Sequence, residues 1–238
     1  MKRAVVTVAV SQARVLDLYV ARWIKEFSRY ARGEELLVWD KLWPPGSPSH
    51  HECNYAFKVH AVHEAKELGY TSILWCDASC TAFAPLAPMW ERLERDGHVL
   101  IEDANPLGKW SSDRSLAQFG VTRDEAMDIR LMCGTCWGLD LTVERSRIFL
   151  ERLRSLASPD NFNGTHRSRL PGLAIHPRPG SEGALVSTDE RCWGHRSDEV
   201  YMSLLAKELG MQTHVGVEFI GGCGSVTERA CIRSGYDL

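Results

Sequence analysis

A carboxylate placed directly after a short apolar run is the first feature of this chain that invites a chemical reading. Residues Ser72-Ile73-Leu74-Trp75-Cys76 lead into Asp77, and Ala78, Ser79 and Cys80 follow. The run comes after a helix-like segment closed at Gly69 and Tyr70, and it has the length and composition of a buried parallel strand. In an open α/β sheet, ligands bind just beyond the carboxyl ends of the strands. A lone carboxylate there adds little packing and is costly to bury, so Asp77 is read as functional rather than as a turn residue. Two further features carry chemistry. Gly134 and Gly138 interrupt an otherwise strand-like stretch, as glycines do where a backbone or ligand comes close. Asp198 and Glu199 are adjacent acids opening a late helix, where their simpler role is to complement the helix dipole.

The cysteines suggest less. There are eight, at 53, 76, 80, 133, 136, 192, 223 and 231, and without an oxidising setting they need not be bridged. Cys133-Gly134-Thr135-Cys136 has zinc-knuckle spacing, but neither a second pair nor a spaced histidine pair accompanies it, so no zinc module is expected. His50 and His51 lie in a Pro-rich loop that reads as a substrate loop more than as a metal site.

These residues need a scaffold, and the hydrophobic pattern supplies one. Residues 4–10 form a first strand. Arg14 to Tyr30 is an amphipathic helix, and 35–40 is a second strand, a β-α-β opening that predicts a parallel sheet. Residues 42–53 are irregular. Asn54 is placed to cap a helix that Gly69 stops, and the strand ending at Asp77 follows. Pro85 or Pro88 starts a helix to about Arg95, and 98–101 is a short strand. Residues 102–120 read as loop, 122–129 as a short helix, 132–141 as the glycine-bearing strand and 143–156 as a helix. A long excursion at 157–183 precedes the helix of Asp198 and Glu199, and Thr213 to Ile220 reads as a last strand before a Gly-rich tail.

A length of 238 residues, 44% hydrophobic and 25% charged, suits a single globular α/β domain. The net charge of -3 gives no general attraction to nucleic acid or acidic membranes, although arginines cluster at 145–154 and 167–178. The apolar N-terminal run is about seven residues, too short for a signal peptide and better read as a strand. No stretch nears the ~20 apolar residues that span a bilayer. A cytoplasmic setting is expected.

The order of these pieces resembles the glycosyltransferases of the GT-A fold, and a small bacterial and phage-type group among them. The resemblance covers roughly residues 4–217. It rests on Asn54-Tyr55-Ala56-Phe57-Lys58, Leu74-Trp75-Cys76-Asp77-Ala78-Ser79 and Gly194-His195-Arg196-Ser197-Asp198-Glu199. It implies one GT-A-like domain with a mostly parallel central sheet flanked by helices. The nucleotide-binding part would be about 1–103 and the acceptor-binding part about 104–220. It also implies transfer of a sugar from a nucleotide-diphosphate sugar, UDP-linked, to a hydroxyl acceptor. That acceptor could be a polysaccharide, a small molecule or a hydroxymethylated base of phage DNA, with host cytoplasm as the setting if the gene is phage-borne.

The family's metal motif is Asp-x-Asp, whose carboxylates hold Mn²⁺ or Mg²⁺ against the diphosphate. Here it reads Asp77-Ala78-Ser79, with a hydroxyl in place of the second carboxylate. The resemblance makes Asp198 or Glu199 the base that deprotonates the acceptor, with inversion at the sugar. Asp77 and His214 become the metal ligands, with His195 the competing histidine. Lys58 and Arg196 become partners of phosphate oxygens. Trp110 and Asp113 become lining of the sugar pocket, and Gly134 and Thr135 a border of the donor sugar. A nucleotidyltransferase is the runner-up, but it would carry a Gly-rich loop after the first strand, and residues 11–14 contain no glycine. A non-catalytic sugar-binding relative is the remaining alternative.

Overall fold

The computed structural model describes residues 1–10, 14–163, 186–215, 220–221 and 231–233. The turn at 11–13, residues 164–183 of the 157–183 excursion with the arginines at 167–178, the 216–219 part of the last predicted strand and most of the tail lie outside the described residues.

The strands are β1 (Arg3–Val8), β2 (Glu35–Trp39), β3 (Ser72–Cys76), β5 (His98–Pro106), β6 (Arg130–Asp140) and β7 (His214–Val215), in the sheet order β2-β1-β3-β6-β5-β7. β1 pairs in parallel with both β2 and β3, β6 pairs antiparallel with β3 and β5, and β5 and β7 are parallel. Five strands therefore share one direction and β6 alone opposes them, so the sheet is mostly parallel. A second, small sheet joins β4 (Thr81–Ala82), β8 (Ile220–Gly221) and β9 (Ile232–Arg233). The main sheet crosses the 103/104 boundary, because β6 lies between β3 and β5.

Both faces of the main sheet are covered, which explains why its central strands read as continuous apolar runs. On one face Ala4, Val6, Ile73 and Trp75 pack against α2 (Ala56–Glu67), α6 (Glu144–Leu156) and α8 (Ser197–Glu208). On the other, Val5, Leu74 and Cys76 pack against Trp23 and Phe27 of α1 (Arg14–Tyr30) and Met89, Trp90 and Leu93 of α3 (Ala87–Asp96). The alternation along β1 and β3 is the period of two that a strand imposes. Gly138 serves this packing: a Cβ there would lie 2.4 Å from Leu74 Cδ2.

The structure departs from the sequence reading in three places. β5 continues to Pro106, a 3-10 turn covers Leu107–Lys109, and α4 (Asp113–Gln118) follows, where a loop was expected over 102–120. Hydrogen bonding across the sheet edge and the Ser112 N-cap, which accepts from Ser115 N–H, stabilise what local composition did not indicate. The helix expected over 122–129 is α5 (Arg123–Met127), started by a Thr122–Glu125 capping box. Asn54 does not cap α2. The N-cap is Tyr55, in the left-handed region at φ 59, with no side-chain cap, and the Asn54 N–H donates instead to Asn163 Oδ1. A fourth short helix, α7 (Pro159–Phe162), lies within the expected excursion. Among the described residues no helix is long and apolar enough to cross a membrane.

Candidate functional site

Asp77 follows directly on β3, and its backbone N–H donates to Thr135 O at 2.8 Å, which fixes the strand end against β6. The Trp75 indole N–H donates to Asp77 Oδ1 at 2.9 Å. Two residues apart on a strand, the two side chains share a face, so the tryptophan aims the carboxylate. Burial raises the Asp77 carboxyl; Lys58 opposes this, and Asp198 adds to the rise.

Lys58 lies in the first turn of α2, buried with only 4% of its surface exposed. Its ammonium donates to Gly134 O at 2.9 Å and stands 3.2 Å from Asp77 Oδ1 and 3.4 Å from Asp198 Oδ2. Burial alone would lower its pKa, but Asp198 and Asp77 outweigh that and keep it protonated. The rings of Tyr55 and Trp75 lie 4.8 and 5.9 Å from it.

Asp198 and Glu199 arrive from the start of α8, a helix buried on nearly every side. Tyr201, Met202, Leu205 and Ala206 face the main core, while Val200 and Leu204 enter a second cluster with Leu107, Trp110, Leu116 and Leu131. Its first turn is therefore internal. Ser197 adopts φ 34, a left-handed conformation for a residue with a side chain, and such strain persists only where surrounding structure enforces it. Asp198 is buried, and its carboxyl is raised by burial and lowered by Lys58. Glu199 Oε1 accepts from Gly134 N–H at 3.1 Å, and its Oε2 lies 3.1 Å from Arg196 Nη1. Burial raises the Glu199 carboxyl, Arg196 opposes this, Asp198 adds to it, and the balance stands at about 7. A carboxyl at that value exchanges protons near neutrality, which suits a general base.

Gly134 is where these groups meet. A Cβ would lie 2.9 Å from Asp198 Oδ2 and 3.0 Å from Glu199 Cγ, so no side chain fits. Lys58, Asp77, Gly134, Asp198, Glu199 and Arg196, read from distant parts of the sequence, form one cluster at the carboxyl end of β3. Thr135 joins through its carbonyl. Ser79 follows in the turn that Cys80 N–H closes onto Asp77 O, and its own carbonyl accepts from Arg22 at 3.0 Å.

The other expected residues are placed elsewhere. Trp110 is buried in the second cluster, edge-on to Trp193, where it backs Arg196: the guanidinium lies 5.1 Å from its ring and the Arg196 N–H donates to Trp110 O. Asp113 begins α4 and accepts from Ser187 Oγ and Arg123. These contacts overcome burial and hold its carboxyl below the usual range. His195 is buried. It accepts from Ser112 N–H on Nδ1 and faces Asn161 O with Nε2, so the ring joins the N-cap of α4 to α7.

His214 does not join Asp77. It sits on the edge strand β7, opposite Ile101, with two strands between it and β3, or ~14 Å of sheet width. There it stacks on His98 and lies 3.7 Å from Asp96 Oδ2. Burial, Arg92 and His98 lower its pKa. The expected Asp77–His214 metal pair is thus corrected by strand order. The carboxylate that does stand near Asp77 is Asp198, with the Lys58 ammonium between the two. The 145–154 arginines are engaged internally: Arg145 with Gly210 O, Arg147 with Leu141 O and Thr142 O, Arg152 with Glu208, Arg154 with His63.

Three contributors escaped sequence reading. Trp75 was detectable as the residue two before Asp77 on a strand. Tyr55 adjoins Lys58 in sequence, and its backbone N–H donates to His50 Nδ1. Asp103, 3.6 Å from Arg196, lies on the part of β5 that reads as loop.

No protein-family model matches the chain, and no curated protein matches it by sequence. Solved structures do match. Mouse xyloside xylosyltransferase 1 in its apo form aligns over 99% of this chain and 98% of its own at 11% identity, with a TM-score of 0.55. A glycosyltransferase involved in glycosylation of the major capsid of PBCV-1 aligns over 98% and 92% at 9% identity, with a TM-score of 0.53. The fold is therefore of the GT-A-like glycosyltransferase type, a mixed α/β sheet layered between helices.

Proposed function

We propose that the protein transfers a glycosyl unit from a nucleotide-diphosphate sugar, UDP-linked, to a hydroxyl acceptor with inversion. The observation that carries this reading is the position of Glu199. It is a carboxyl balanced at about 7, held by Gly134 N–H and Arg196, in the same cluster as Asp77 beyond the central strand of a GT-A-like sheet.

In this reading the donor lies beyond β3, with Asp77 and the Ser79 turn against its ribose or sugar hydroxyls. Glu199 takes the acceptor's hydroxyl proton as the oxygen attacks the anomeric carbon. The bond from that carbon to the diphosphate oxygen breaks, and its electron pair leaves with the nucleotide, whose growing charge faces the Lys58 and Arg196 cations. Asp198, paired with Lys58, orients the ammonium, so Glu199 rather than Asp198 is assigned as base. Gly134 and Thr135 border the sugar. The hydroxyl of another sugar is put first as acceptor, as in the activity named for the xyloside xylosyltransferase. A small molecule and hydroxymethylated DNA come next.

The test is thermal shift of the whole protein against nucleoside diphosphates and their sugars. One base should raise the midpoint, since a ligand of the native state must stabilise it, and Asp77→Asn should remove the rise. No shift with any nucleotide would sink the donor reading. A shift without sugar transfer to any acceptor tried would leave a binding protein instead.

A further inference from the structure

We propose that Lys58 is the resident cation of this site: its ammonium stands where a divalent ion would lie between two carboxylates, and the site works without a metal. This rests on the nucleotide-sugar reading above.

The geometry argues for it in both directions. Three oxygens surround this ammonium: Gly134 O, which accepts its hydrogen bond at 2.9 Å, and Asp77 Oδ1 and Asp198 Oδ2, ion-paired with it at 3.2 and 3.4 Å. A hard divalent ion on the same oxygens needs them at about 2.0–2.6 Å, inside the space the nitrogen fills. The lysine has no evident place to go. Its side chain is 5% exposed, with Tyr55 and Trp75 rings beside it. Conversely, without the ammonium the same place holds two carboxylates and a backbone carbonyl, an all-oxygen set that suits Mg²⁺ or Mn²⁺.

The composition of the turn agrees. Ser79 stands where a second acid would add a negative charge, and a single ammonium needs no such acid. Of the two carboxylates against Lys58, Asp198 is 4% exposed and Asp77 is 27% exposed. The Asp77 side is thus open, and there a diphosphate oxygen can share the ammonium while the Asp198 contact holds it in place.

Mn²⁺ binding to the full-length protein, followed by the loss of free-ion spin resonance signal, tests this without any nucleotide. The wild type should bind no Mn²⁺ at a site sensitive to Asp77→Asn, and any nucleotide-induced thermal shift should be the same in EDTA as in Mn²⁺. Lys58→Ala should gain a Mn²⁺ site, and Lys58→Ala/Asp77→Asn should lose it again. One Mn²⁺ bound by the wild type and released by Asp77→Asn would overturn the proposal while leaving the donor reading standing. So would a folded Lys58→Ala that binds none. If Lys58→Ala does not fold, the wild-type Mn²⁺ and EDTA comparisons decide alone. Absence of a shift with every nucleotide, with and without Mn²⁺, removes the donor reading and this proposal with it.

Discussion

The backbone N–H of Gly134 donates to Glu199 Oε1 at 3.1 Å while the carbonyl of the same glycine accepts from Lys58 at 2.9 Å. One residue thus holds a carboxyl and an ammonium at fixed separation, from a strand that runs against its neighbours. This is possible because nothing projects from its Cα.

Gly134→Ala should therefore act on chemistry. The added methyl meets Asp198 Oδ2 at 2.9 Å and Glu199 Cγ at 3.0 Å, so relief requires the two acid side chains to move from their positions. Gly138→Ala on the same strand meets Leu74 Cδ2 at 2.4 Å instead. Each is expected to cost about 1–3 kcal/mol by overpacking, measured by urea denaturation. Only Gly134→Ala should cut kcat by tenfold or more at a temperature where both variants are folded. Equal kcat losses in the two would contradict this placement of the glycine.

Glu199 predicts two opposite pH effects. Activity that needs its ionised form should rise with pH through about 7, and Glu199→Gln should abolish it across the range. Stability should move the other way. Because the folded pKa is raised above the ordinary value of 4.5, the native state binds more protons than the unfolded chain between those values. Glu199's contribution is then fully present below about 4.5 and is lost as pH rises through 7. Glu199→Gln should accordingly match the wild type near pH 5 and melt higher near pH 8, by the equivalent of ~1–3 kcal/mol. Equal melting temperatures at pH 8 would show that the carboxyl is not raised.

Trp75→Phe leaves a smaller aromatic ring in the core and deletes the N–H that aims Asp77. Loss of one hydrogen bond to a charged group is worth ~1.5–3 kcal/mol. Nucleotide-sugar affinity should fall about tenfold or more by calorimetry, measured at a temperature where the variant, destabilised by the lost core volume, is fully folded. An unchanged Kd would remove Trp75 from the site.

How much of this could be read without coordinates depended on locality. The strand before Asp77, α1, α6 and the helix of Asp198 and Glu199 each announce themselves within a dozen residues, through period and punctuation. β5 beyond Ile101 does not, since Glu102, Asp103, Ala104 and Asn105 lack strand character, and the segment is held by Glu102 opposite Met132 of β6 and Val215 of β7 and by Pro106 opposite Arg130. Lys58, Asp77, Gly134 and Arg196 were each named for a donor site, and the structure brings them together. Trp110 and His195 were named for the same site; the first is buried behind Arg196 and the second joins the N-cap of α4 to α7, because side-chain type does not disclose depth. His214 failed for a different reason: chain order says nothing of sheet order, and β7 attaches at the far edge.

The buried setting of α8 has a consequence for how the molecule comes into being. Lys58 and Gly134 lie 76 residues apart and Gly134 and Glu199 another 65. A growing polypeptide therefore carries its lysine and first aspartate long before the second pair of acids leaves the ribosome. Until then the two apolar clusters that enclose α8 lack their shared partner. α8 is at once the keystone of the interior and the bearer of the acids. Quality control that recognises exposed apolar surface would thus remove the same incomplete chains that lack the means to react.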